Sequence, residues 1–473
     1  MGISRRTLLK SGLIGAAGLL SPLASGSDTE WDCLVLGAGI AGLTAAQRLA
    51  SAGKRVLVLE GSDRIGGRIL TNRNLLGSSV ELGAQYIHRP PQSGLPIWED
   101  LERCRIETRA ISRTDCGLIY HQAWGAPKSF IDAAISAGIV DISNIFNDVD
   151  NFAGPDKSLR SWLTRYQSPI VRDMASLALG MEMPGPEKRL SIFGLQSDQL
   201  SEMERESEEF AINQGYGTFV DRMAKGLRIL KNKFIEEIHY DSKGVTVITQ
   251  QGERFQAKTA VFTFALGMLK SGQVRFTPNL PAYKLRALNF VHAGHESKMS
   301  IRFKKRFWPE AISLLTRCDE SRRAGRVYFE ENFGLKGRPL ILNALMSGDD
   351  AARLSQLSDL QVLQKICADL NAMFPVRGGV INLVAKNADG SPMIVRKQWM
   401  NDPFSKGGTT YVSTDPSGHY DVRRARTDLA TSYRTAPLFW AGEATTVGTQ
   451  PSSVHGAHWT GVRASMEVLR YLK

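Results

Sequence analysis

The chain has 473 residues, of which 42% are hydrophobic and 22% are charged. This composition excludes a disordered chain and a polytopic membrane protein, and the length predicts two or three domains. The formal net charge of +12 admits nucleic acid, acidic membrane surfaces and anionic ligands as partners, but it selects none of them. The five cysteines indicate neither a disulfide scaffold nor a metal site. Buried thiols are favoured, and a Cys104–Cys116 disulfide is the alternative.

Residues 1–27 are predicted to be a targeting signal rather than part of the fold. Arg5 and Arg6 precede a modest apolar run, Ser11 to Leu23, and a short stretch of small residues then suits cleavage. The run is too short and too glycine-rich to span a membrane, which takes about 20 apolar residues. The pattern resembles a bacterial twin-arginine export signal. We therefore expect export of the folded protein by the twin-arginine machinery, a periplasmic or secreted location, and no stable membrane anchor after cleavage.

The mature chain opens with a pattern typical of a dinucleotide-binding fold. A short apolar run, Trp31 to Leu36, predicts a buried parallel strand, and G-x-G-x-x-G follows it at once. Gly37 permits a tight turn, Gly39 lets the backbone approach a pyrophosphate, and Gly42 lets the helix pack closely on the strand. A second strand ends at Glu60, which is placed to accept hydrogen bonds from a ribose. The predicted fold is therefore α/β, with a doubly wound parallel sheet.

The residues after the second strand indicate which dinucleotide binds. Glu60 to Arg68 reads E-x-x-x-R-x-G-G-R and resembles a segment of the glutathione-reductase-like flavoproteins. In that superfamily the arginine matched by Arg64 sits near the phosphates, and the glycines matched by Gly66 and Gly67 let the backbone pass beside the flavin. The resemblance implies FAD rather than NAD, and it adds Arg68 to the cofactor-binding residues.

The next motif indicates the family. Glu81 to His88 reads E-L-G-A-Q-Y-I-H and is similar to the E-L-G-A-x-W-I-H segment of polyamine and spermine oxidases. The sequence therefore resembles a flavin-containing amine oxidase of the monoamine or polyamine oxidase type. The resemblance implies that His88 lies at the rim of the active site and contributes to substrate binding.

The middle of the chain changes to a helical pattern, and the cofactor motifs return afterwards. Helical stretches are predicted between Leu95 and Ala211, where the family builds substrate-binding surface. Within them, the acidic stretch Ser201 to Phe210 is predicted to be a solvated helix face, and a cation-attracting rim is the alternative. The resemblance implies that an FAD-binding, glutathione-reductase-like domain is interleaved with an α+β substrate domain. The expected FAD-binding domain comprises residues 28–90, 213–273 and 396–473, and the expected substrate-binding domain comprises residues 91–212 and 274–395.

A lysine in a predicted strand is the candidate catalytic residue. Gly294 to Phe303 aligns with the family's G-x-x-x-K-V-x-L-x-F, and Lys298 matches the lysine that binds a water against flavin N5 in relatives. Alternation with Met299 and Ile301 predicts that Lys298 faces a cleft, where burial favours its neutral form. An exposed strand lysine is the alternative.

Four further residues are expected around the substrate. Trp399 begins a segment similar to the family's W-x-x-D-P-x-S-x-G-S-Y and is expected to flank the flavin. The tyrosine that walls the substrate in relatives aligns with Thr409. Tyr411, two residues on, is expected to share its strand face and to replace that tyrosine in part. Ser453 stands where some polyamine oxidases carry a second aromatic wall.

The C-terminal motifs complete the expected cofactor site. F-W-A-G-E-A-T and S-S-V-H-G-A resemble the family's F-A-G-E-A-T and T-V-H-G-A segments. In relatives the acid holds the ribityl or phosphate region, and the V-H-G-A backbone at a helix start donates to the flavin pyrimidine. The matching residues here are Gly442, Glu443, Val454, Gly456 and Ala457. Phe234 matches a position whose backbone holds the adenine. No cysteine lies between Glu443 and Gly461, the region through which monoamine oxidases attach FAD, so non-covalent FAD is expected.

The resemblance implies an FAD-dependent amine oxidoreductase. A hydride passes from the amine α-carbon to flavin N5, the imine is hydrolysed to an aldehyde or ketone, and O₂ reoxidises the flavin with release of H₂O₂. The segment ending at His88 favours a polyamine or another primary or secondary amine. The missing aromatic walls and the basic charge argue against a polycation.

Three alternatives stay open. An L-amino-acid oxidase needs an arginine for the substrate carboxylate, and Arg89 is the candidate. An amine dehydrogenase passes its electrons to a carrier instead of O₂. A carotenoid or porphyrinogen desaturase shares the fold, but Lys298 within its motif argues against it. Because arginines that serve an anionic dinucleotide account for part of the basic charge, no nucleic-acid partner is expected.

Overall fold

The computed structural model describes residues 31–111, 117–139, 143–198, 208–318, 326–432, 436–448 and 451–473. The predicted twin-arginine signal lies outside these ranges, as does Cys116, so the signal and the alternative disulfide stay predictions. Within the described ranges, no helix combines the length and the apolar character needed to cross a membrane. Cys33, Cys104, Cys318 and Cys367 are buried.

The first half of the described chain contains both strands and helices. The N-terminal elements are β1 (Trp31–Leu36), α1 (Ile40–Ser51), β2 (Val56–Leu59), β3 (Thr71–Asn72), β4 (Val80–Glu81) and β5 (Tyr86–His88). These are followed by α2 (Pro96–Arg103), β6 (Thr108–Ile111), β7 (Gly117–His121), β8 (Lys128–Ser129), α3 (Phe130–Ala137), α4 (Ser143–Asp150), α5 (Leu159–Leu163), α6 (Pro169–Glu182), α7 (Ile192–Ser197) and β9 (Glu209–Ile212).

The second half is richer in strands. The next elements are α8 (Tyr216–Ala224), β10 (Ile229–Leu230), β11 (Ile235–Tyr240), β12 (Val245–Thr249), β13 (Arg254–Phe262), α9 (Leu266–Lys270), β14 (Arg275–Thr277), α10 (Ala282–Phe290) and β15 (Val291–Ala293). The last are β16 (Glu296–Phe303), β17 (Leu314–Cys318), β18 (Arg326–Glu330), β19 (Leu340–Ser347), α11 (Gly348–Leu354), α12 (Asp359–Met373), β20 (Ile394–Gln398), β21 (Thr410–Val412), α13 (Ala425–Ala430), β22 (Leu438–Trp440) and α14 (Val454–Tyr471).

The first sheet is built around the parallel strands β1 and β2. Its strand order is β10-β2-β1-β13-β12-β11-β14, with β22 beside β13. Strands β10, β2, β1, β13 and β22 run parallel, whereas β12 is antiparallel to β11 and β13. The last four residues of β1 and all of β2 are buried, as the continuous apolar runs of a covered parallel sheet require. The predicted α/β fold is confirmed.

Helices α1 and α14 pack against each other at unusually close range. A Cβ on Gly461 of α14 would collide with the carbonyl of Ala41 in α1, and a Cβ on Gly42 would collide with the carbonyl of Gly37. Only glycine allows backbones to approach this closely. Gly42 therefore joins α1 to the first strand.

The second sheet carries the lysine strand. Its strand order is β20-β16-β19-β18-β17-β7-β8, and its pairs are antiparallel except for β17 with β7. Met299, Ile301 and Phe303 of β16 pack into a core with residues of α12. Because side chains alternate along a strand, Lys298 faces the opposite side of the sheet.

The middle of the chain differs from the helical prediction. Strands β6 to β9 lie among the helices, and β9 pairs with both β5 and β6. Residues 199–207 lie outside the described ranges, but Glu209 and Phe210 belong to β9, and Glu209 is buried. The prediction of a solvated helix face was wrong for these two residues. A short strand that pairs with distant segments leaves no periodic pattern of hydrophobic residues in the local sequence.

Both large sheets draw on segments that alternate along the chain. The first sheet takes strands from residues 31–59, 229–277 and 438–440, and the second takes them from residues 117–129 and 296–398. Strand β14 extends the first sheet past residue 273, and β20 extends the second sheet past residue 395. The sheets are therefore interleaved, while the exact domain boundaries stay predictions.

Candidate active site

A cavity of about 350 Å³ is lined by residues of both large sheets. It gathers most of the predicted cofactor-binding residues, namely Gly37, Gly39, Glu60, Arg64, Gly66, Gly67, Arg68, Phe234, Gly442, Glu443, Val454 and Ala457. It also gathers five of the six residues predicted for catalysis or substrate binding, namely His88, Lys298, Trp399, Thr409 and Ser453. The motifs therefore converge on one place in the fold.

Glu60 lies at the end of β2 with its carboxylate fixed by neighbouring donors. The N–H of Ala38 donates to Oε2 at 2.7 Å, and the N–H and Oγ of Ser62 donate to Oε1 at 2.9 and 2.8 Å. A carboxylate offers about four lone-pair positions, so Glu60 keeps acceptor capacity for a ribose hydroxyl. This is the chemistry that the sequence predicts for it.

The glycine turns leave space for a phosphate chain. Gly39 lines the cavity, and a Cβ built on it would have no heavy atom within 4 Å. Gly66 and Gly67 have φ values of 100° and 60°, which favour glycine. Helices α1 and α14 both begin at this cavity, so their unpaired N–H groups and positive dipole ends are available to an anion. The residues present therefore fit the pyrophosphate of a dinucleotide.

Arg68 is held by the C-terminal motif. Its Nη1 donates to Glu443 Oε1 at 2.9 Å and to the carbonyl of Gly408. The other oxygen of Glu443 accepts from Thr410 Oγ1 at 2.8 Å, and Arg426 donates to the same hydroxyl at 2.7 Å. Glu443 is 4% exposed, so these partners satisfy a carboxylate that water does not reach.

Lys298 is buried and directed into the cavity. It is 3% exposed, and its Nζ donates to Gln85 Oε1 at 2.6 Å and to the carbonyl of Gly83 at 3.2 Å. Burial lowers the pKa of Lys298, and the carboxylates of Glu331, Glu81 and Glu296 oppose that shift. The position of Lys298 agrees with the prediction that it faces a cleft. It does not agree with the alternative, an exposed strand lysine.

All three of these carboxyls have raised pKa values. Burial and the nearby Glu331 raise the pKa of Glu81 to about 7, although the Tyr216 N–H donates to it at 2.8 Å. Burial raises the pKa of Glu296, whose carboxylate accepts from Thr409 N–H at 2.7 Å and from Thr409 Oγ1 at 3.1 Å. Lys298 therefore lies among carboxyls whose burial favours their neutral form.

Apolar side chains form the wall beside Lys298. Leu345 lies opposite Lys298 in the strand ladder, and Val327 lies opposite Leu345. Tyr86 and Phe329 complete the wall, with their rings edge to face at 5.8 Å. This wall suits the carbon chain of a substrate.

His88 is hydrogen-bonded to a buried carboxyl group at the same cavity. Its Nδ1 lies 2.5 Å from Glu209 Oε1, and the Glu209 side chain is 1% exposed while that of His88 is 32% exposed. The ring of His88 meets the buried ring of His455 edge to face at 5.6 Å. Burial and the nearby His88 hold the pKa of His455 well below its usual value.

Tyr411 is the predicted substrate residue that the structure places elsewhere. It is 3% exposed, stacks on His292 at 5.3 Å and packs in the core of the helical region. Strand β21 begins only at Thr410, so Thr409 and Tyr411 do not share one strand face. The expected substitution for the missing aromatic wall was therefore wrong, whereas Thr409 lines the cavity.

Trp399 and Ser453 line the cavity in fixed positions. The Trp399 Nε1 donates to the carbonyl of Leu82 at 3.2 Å, and Lys397 Nζ lies 4.7 Å from the ring centroid. Ser453 caps α14 by accepting from the Gly456 N–H at 3.0 Å. Gly456 does not line the cavity, and its N–H is engaged in this cap. Gly42 does not line it either, because it packs against the first strand.

Five polar residues of the site were missed by sequence reasoning, namely Gln85, Glu209, Glu296, Glu331 and Asn343. Gln85 occupies the variable position x of the E-L-G-A-x-W-I-H motif. Glu296 lies two residues before Lys298, so the alternation of side chains along β16 places both on the same face of the strand and could have identified Glu296. Glu209 and Glu331 reach the site by strand pairing with distant segments, for which the sequence offers no local signal.

The fold and the site together define a flavoprotein oxidoreductase of the dinucleotide-binding α/β class. The chain matches the family model described as flavin containing amine oxidoreductase over residues 40–138 and 144–469. It belongs to this family, and its cofactor is FAD.

Curated relatives and solved structures agree with this assignment. Lysine-specific histone demethylase 1 homolog 1 of Arabidopsis thaliana is 29% identical over 92% of this chain, which spans about half (52%) of that protein's length. Polyamine oxidase 2 of the same plant is 26% identical over 91% of this chain and 86% of its own. A putrescine oxidase triple mutant has a TM-score of 0.76 at 19% identity, covering 93% of this chain and 99% of its own. Cyclohexylamine oxidase from Brevibacterium oxydans IH-35A has a TM-score of 0.76 at 18% identity, with coverage of 94% and 99%. The two solved structures share the fold.

Proposed function

We propose that the protein is an FAD-dependent oxidase of polyamine-like or other primary or secondary amines. One observation carries this proposal: buried Lys298 and an apolar wall share a single cavity with the glycine turns and two helix N-termini. FAD, when bound, supplies the hydride acceptor that turns the amine into an imine, which is then hydrolysed to an aldehyde or ketone.

The chain's own residues bind and orient. The backbone at Gly39 and Gly66 and the start of α1 would hold the pyrophosphate, and Glu60 would hold a ribose. Among the described residues no cysteine lines the cavity, which supports non-covalent FAD. The wall of Val327 and Leu345 would exclude water from the reacting carbon.

Lys298 would hold a water in the cavity. An ammonium has three N–H groups, and Gly83 and Gln85 accept from Lys298 in the observed geometry. The remaining N–H is left for a water beside the substrate. Because Lys298 is surrounded by carboxyls, it can take up or release a proton at Nζ during turnover.

The His88–Glu209 pair supports an amine with a second cationic group. With the imidazole of His88 neutral, the buried carboxylate of Glu209 gives the pair a net negative charge, which favours a distal ammonium at the cavity. An L-amino acid would instead need an arginine, and Arg89 does not line the cavity. A desaturase would have no use for Lys298 and its acids.

Two further parts of the proposal concern the oxidant and the location of the protein. We propose O₂ as the oxidant that regenerates FAD with release of H₂O₂, with an electron carrier as the alternative. We also propose export by the twin-arginine machinery to a bacterial periplasm or beyond, because Arg5 and Arg6 precede a short apolar run. Replacing both arginines with lysine should retain the protein in the cytoplasm.

The decisive experiment mixes the purified holoenzyme anaerobically with putrescine, spermidine, cyclohexylamine and L-amino acids. Bleaching of the flavin absorbance by amines is the expected result, and bleaching by L-amino acids alone would favour the alternative. Admitting O₂ and measuring H₂O₂ then tests the oxidant. Unbleached flavin with every compound would overturn the proposal.

A further inference from the structure

A buried chain of polar groups leads from Lys298 to a carboxylate outside the cavity. Gln85 Oε1, which accepts from Lys298, lies 3.4 Å from Asn343 Nδ2, and Asn343 Nδ2 donates to Glu331 Oε2. Glu331 does not line the cavity. Its N–H donates to the carbonyl of Ile341 at 3.0 Å, which fixes its position directly after β18.

The amide of Asn343 is locked in one orientation. Ser300 Oγ donates to Asn343 Oδ1 at 2.5 Å, so the NH₂ group must face Gln85 and Glu331. Asn343 is fully buried, so its hydrogen bonds are shielded from bulk solvent. An amide does not readily pass a proton on. The chain therefore transmits position and charge rather than a proton.

Several charged groups face Lys298 and Glu331 from the elements packed around them. Lys298 is faced by the carboxyls of Glu331 after β18, Glu81 in β4 and Glu296 in β16. Lys397 in β20 lies opposite Lys298 in the strand ladder and is paired with Asp402 at 2.6 Å. Arg109 in β6 donates to the Glu331 carbonyl at 3.3 Å. Burial lowers the pKa of Lys298, and Glu331 opposes this shift more strongly than Glu81 or Glu296. Burial raises the pKa of Glu331, and Lys298 in turn opposes that shift.

We propose that Glu331 is a positioning residue that keeps Lys298 charged and in place, through its own charge and through the Asn343–Gln85 chain. This inference rests on the proposed function, because it assigns Glu331 to the same site. Glu331 does not line the cavity, so it acts on the site through its neighbours, among which Lys298 is the one directed into the cavity.

The test compares Glu331→Gln with the wild-type holoenzyme in two pH titrations. The first follows the absorbance of the oxidised flavin without any amine, and the second follows the rate of flavin reduction by putrescine. Lys298→Met identifies the transition that belongs to Lys298. Removing the Glu331 charge should move that transition to lower pH by about one unit, because the ammonium of Lys298 loses the nearby carboxylate that favours its charged form most. Glu331→Asp, which keeps the charge, should restore most of the wild-type value.

Glu330→Gln is the matched control. Its carboxylate is bound by Arg306 at 2.6 Å and by Trp308 Nε1 at 2.9 Å, and it lies on the opposite face of the strand. This variant should lower thermal stability without moving the transition. If Glu331→Gln left the transition in place, or if Glu330→Gln moved it equally, the inference would be wrong.

A second variant keeps the inference testable if Glu331→Gln does not fold. Asn343→Leu retains the charge but cuts the connection, and it should shift the transition in the same direction by a smaller amount. An unshifted transition in a folded Asn343→Leu protein would then overturn the inference. Because the first titration contains no amine, it stays readable even if no amine bleaches the flavin.

Discussion

Lys298 combines burial with hydrogen bonds that fix its terminal nitrogen. Replacing it with methionine keeps the volume and removes the nitrogen, so Lys298→Met should slow flavin reduction by amines about 100-fold, within the usual range for a proton-transfer group. FAD content should stay at the wild-type level, because Lys298 does not contact the glycine turns. Stopped-flow absorbance measures the rate. Lys304→Met, at an exposed lysine just beyond the same strand, is the control and should leave the rate unchanged.

Glu209 is expected to select substrates rather than to take part in the redox step. Glu209→Gln removes the buried charge behind His88, so KM for a diamine should rise about 10-fold while KM for a monoamine of equal length stays nearly constant. Glu208→Gln, at the exposed neighbour, should change neither value. An equal rise for both amines would mean that the pair only maintains the shape of the cavity.

At the scale of elements, Gly39 at the start of α1 and Gly461 in the middle of α14 have different functions. A Cβ on Gly39 would enter the cavity, whereas a Cβ on Gly461 would collide with α1. Gly39→Ala should therefore weaken FAD binding at least about 10-fold and leave the folded protein as stable as the wild type without cofactor. Gly461→Ala should instead destabilise the protein by about 1–3 kcal/mol, the usual cost of overpacking. FAD titration and thermal unfolding distinguish these outcomes, and interchanged results would contradict the assignment.

A buried hydrogen bond between a carboxylate and a histidine joins α2 to α14. Asp100 Oδ2 lies 2.7 Å from His458 Nε2, and Arg103 also pairs with Asp100. Burial raises the pKa of Asp100, but bonds from His458 and Arg103 outweigh this effect and hold it at about 2. The resulting stability is present above the ordinary pKa of Asp and is lost as pH falls through about 2.

Asp100→Asn should consequently lower the midpoint of thermal unfolding by a few degrees at about pH 7, and the difference from wild type should shrink at about pH 3. Asp221→Asn, which removes an exposed pair with Arg73, should change little at either pH. A difference that stayed constant with pH would show that the carboxylate charge is not the cause.

The sequence predicted the parts of the site whose geometry is local. Gly37, Gly39 and Glu60 act through one turn and the two strands beside it, and Lys298 lies in a strand with clear alternation. Residues that reach the site through pairing of distant strands were not predictable, as Glu209 and Glu331 illustrate. Tyr411 shows the same limit, since the position where β21 begins depends on its partner β15 rather than on its own residues.

At the scale of the whole molecule, the interleaved sheets make separate unfolding of the two halves unfavourable. The chain passes between the two sheets several times, and the cavity takes residues from both. We expect a single calorimetric transition for the holoenzyme. Removing FAD should lower its midpoint and adding FAD should restore it, because a ligand that binds only the folded state stabilises that state. Two resolved transitions in the holoenzyme would contradict this expectation.

The contact between Ala41 and Gly461 also constrains the timing of synthesis. The two helices that begin at the cavity lie near opposite ends of the described chain, so a ribosome making about 5–20 residues per second needs roughly 20–80 s to proceed from one to the other. Until α14 has emerged, the growing chain exposes the face of α1 that Gly461 will cover. Cofactor capture is therefore a late event that follows translation, and chaperones have a long interval in which to bind the unfinished first sheet.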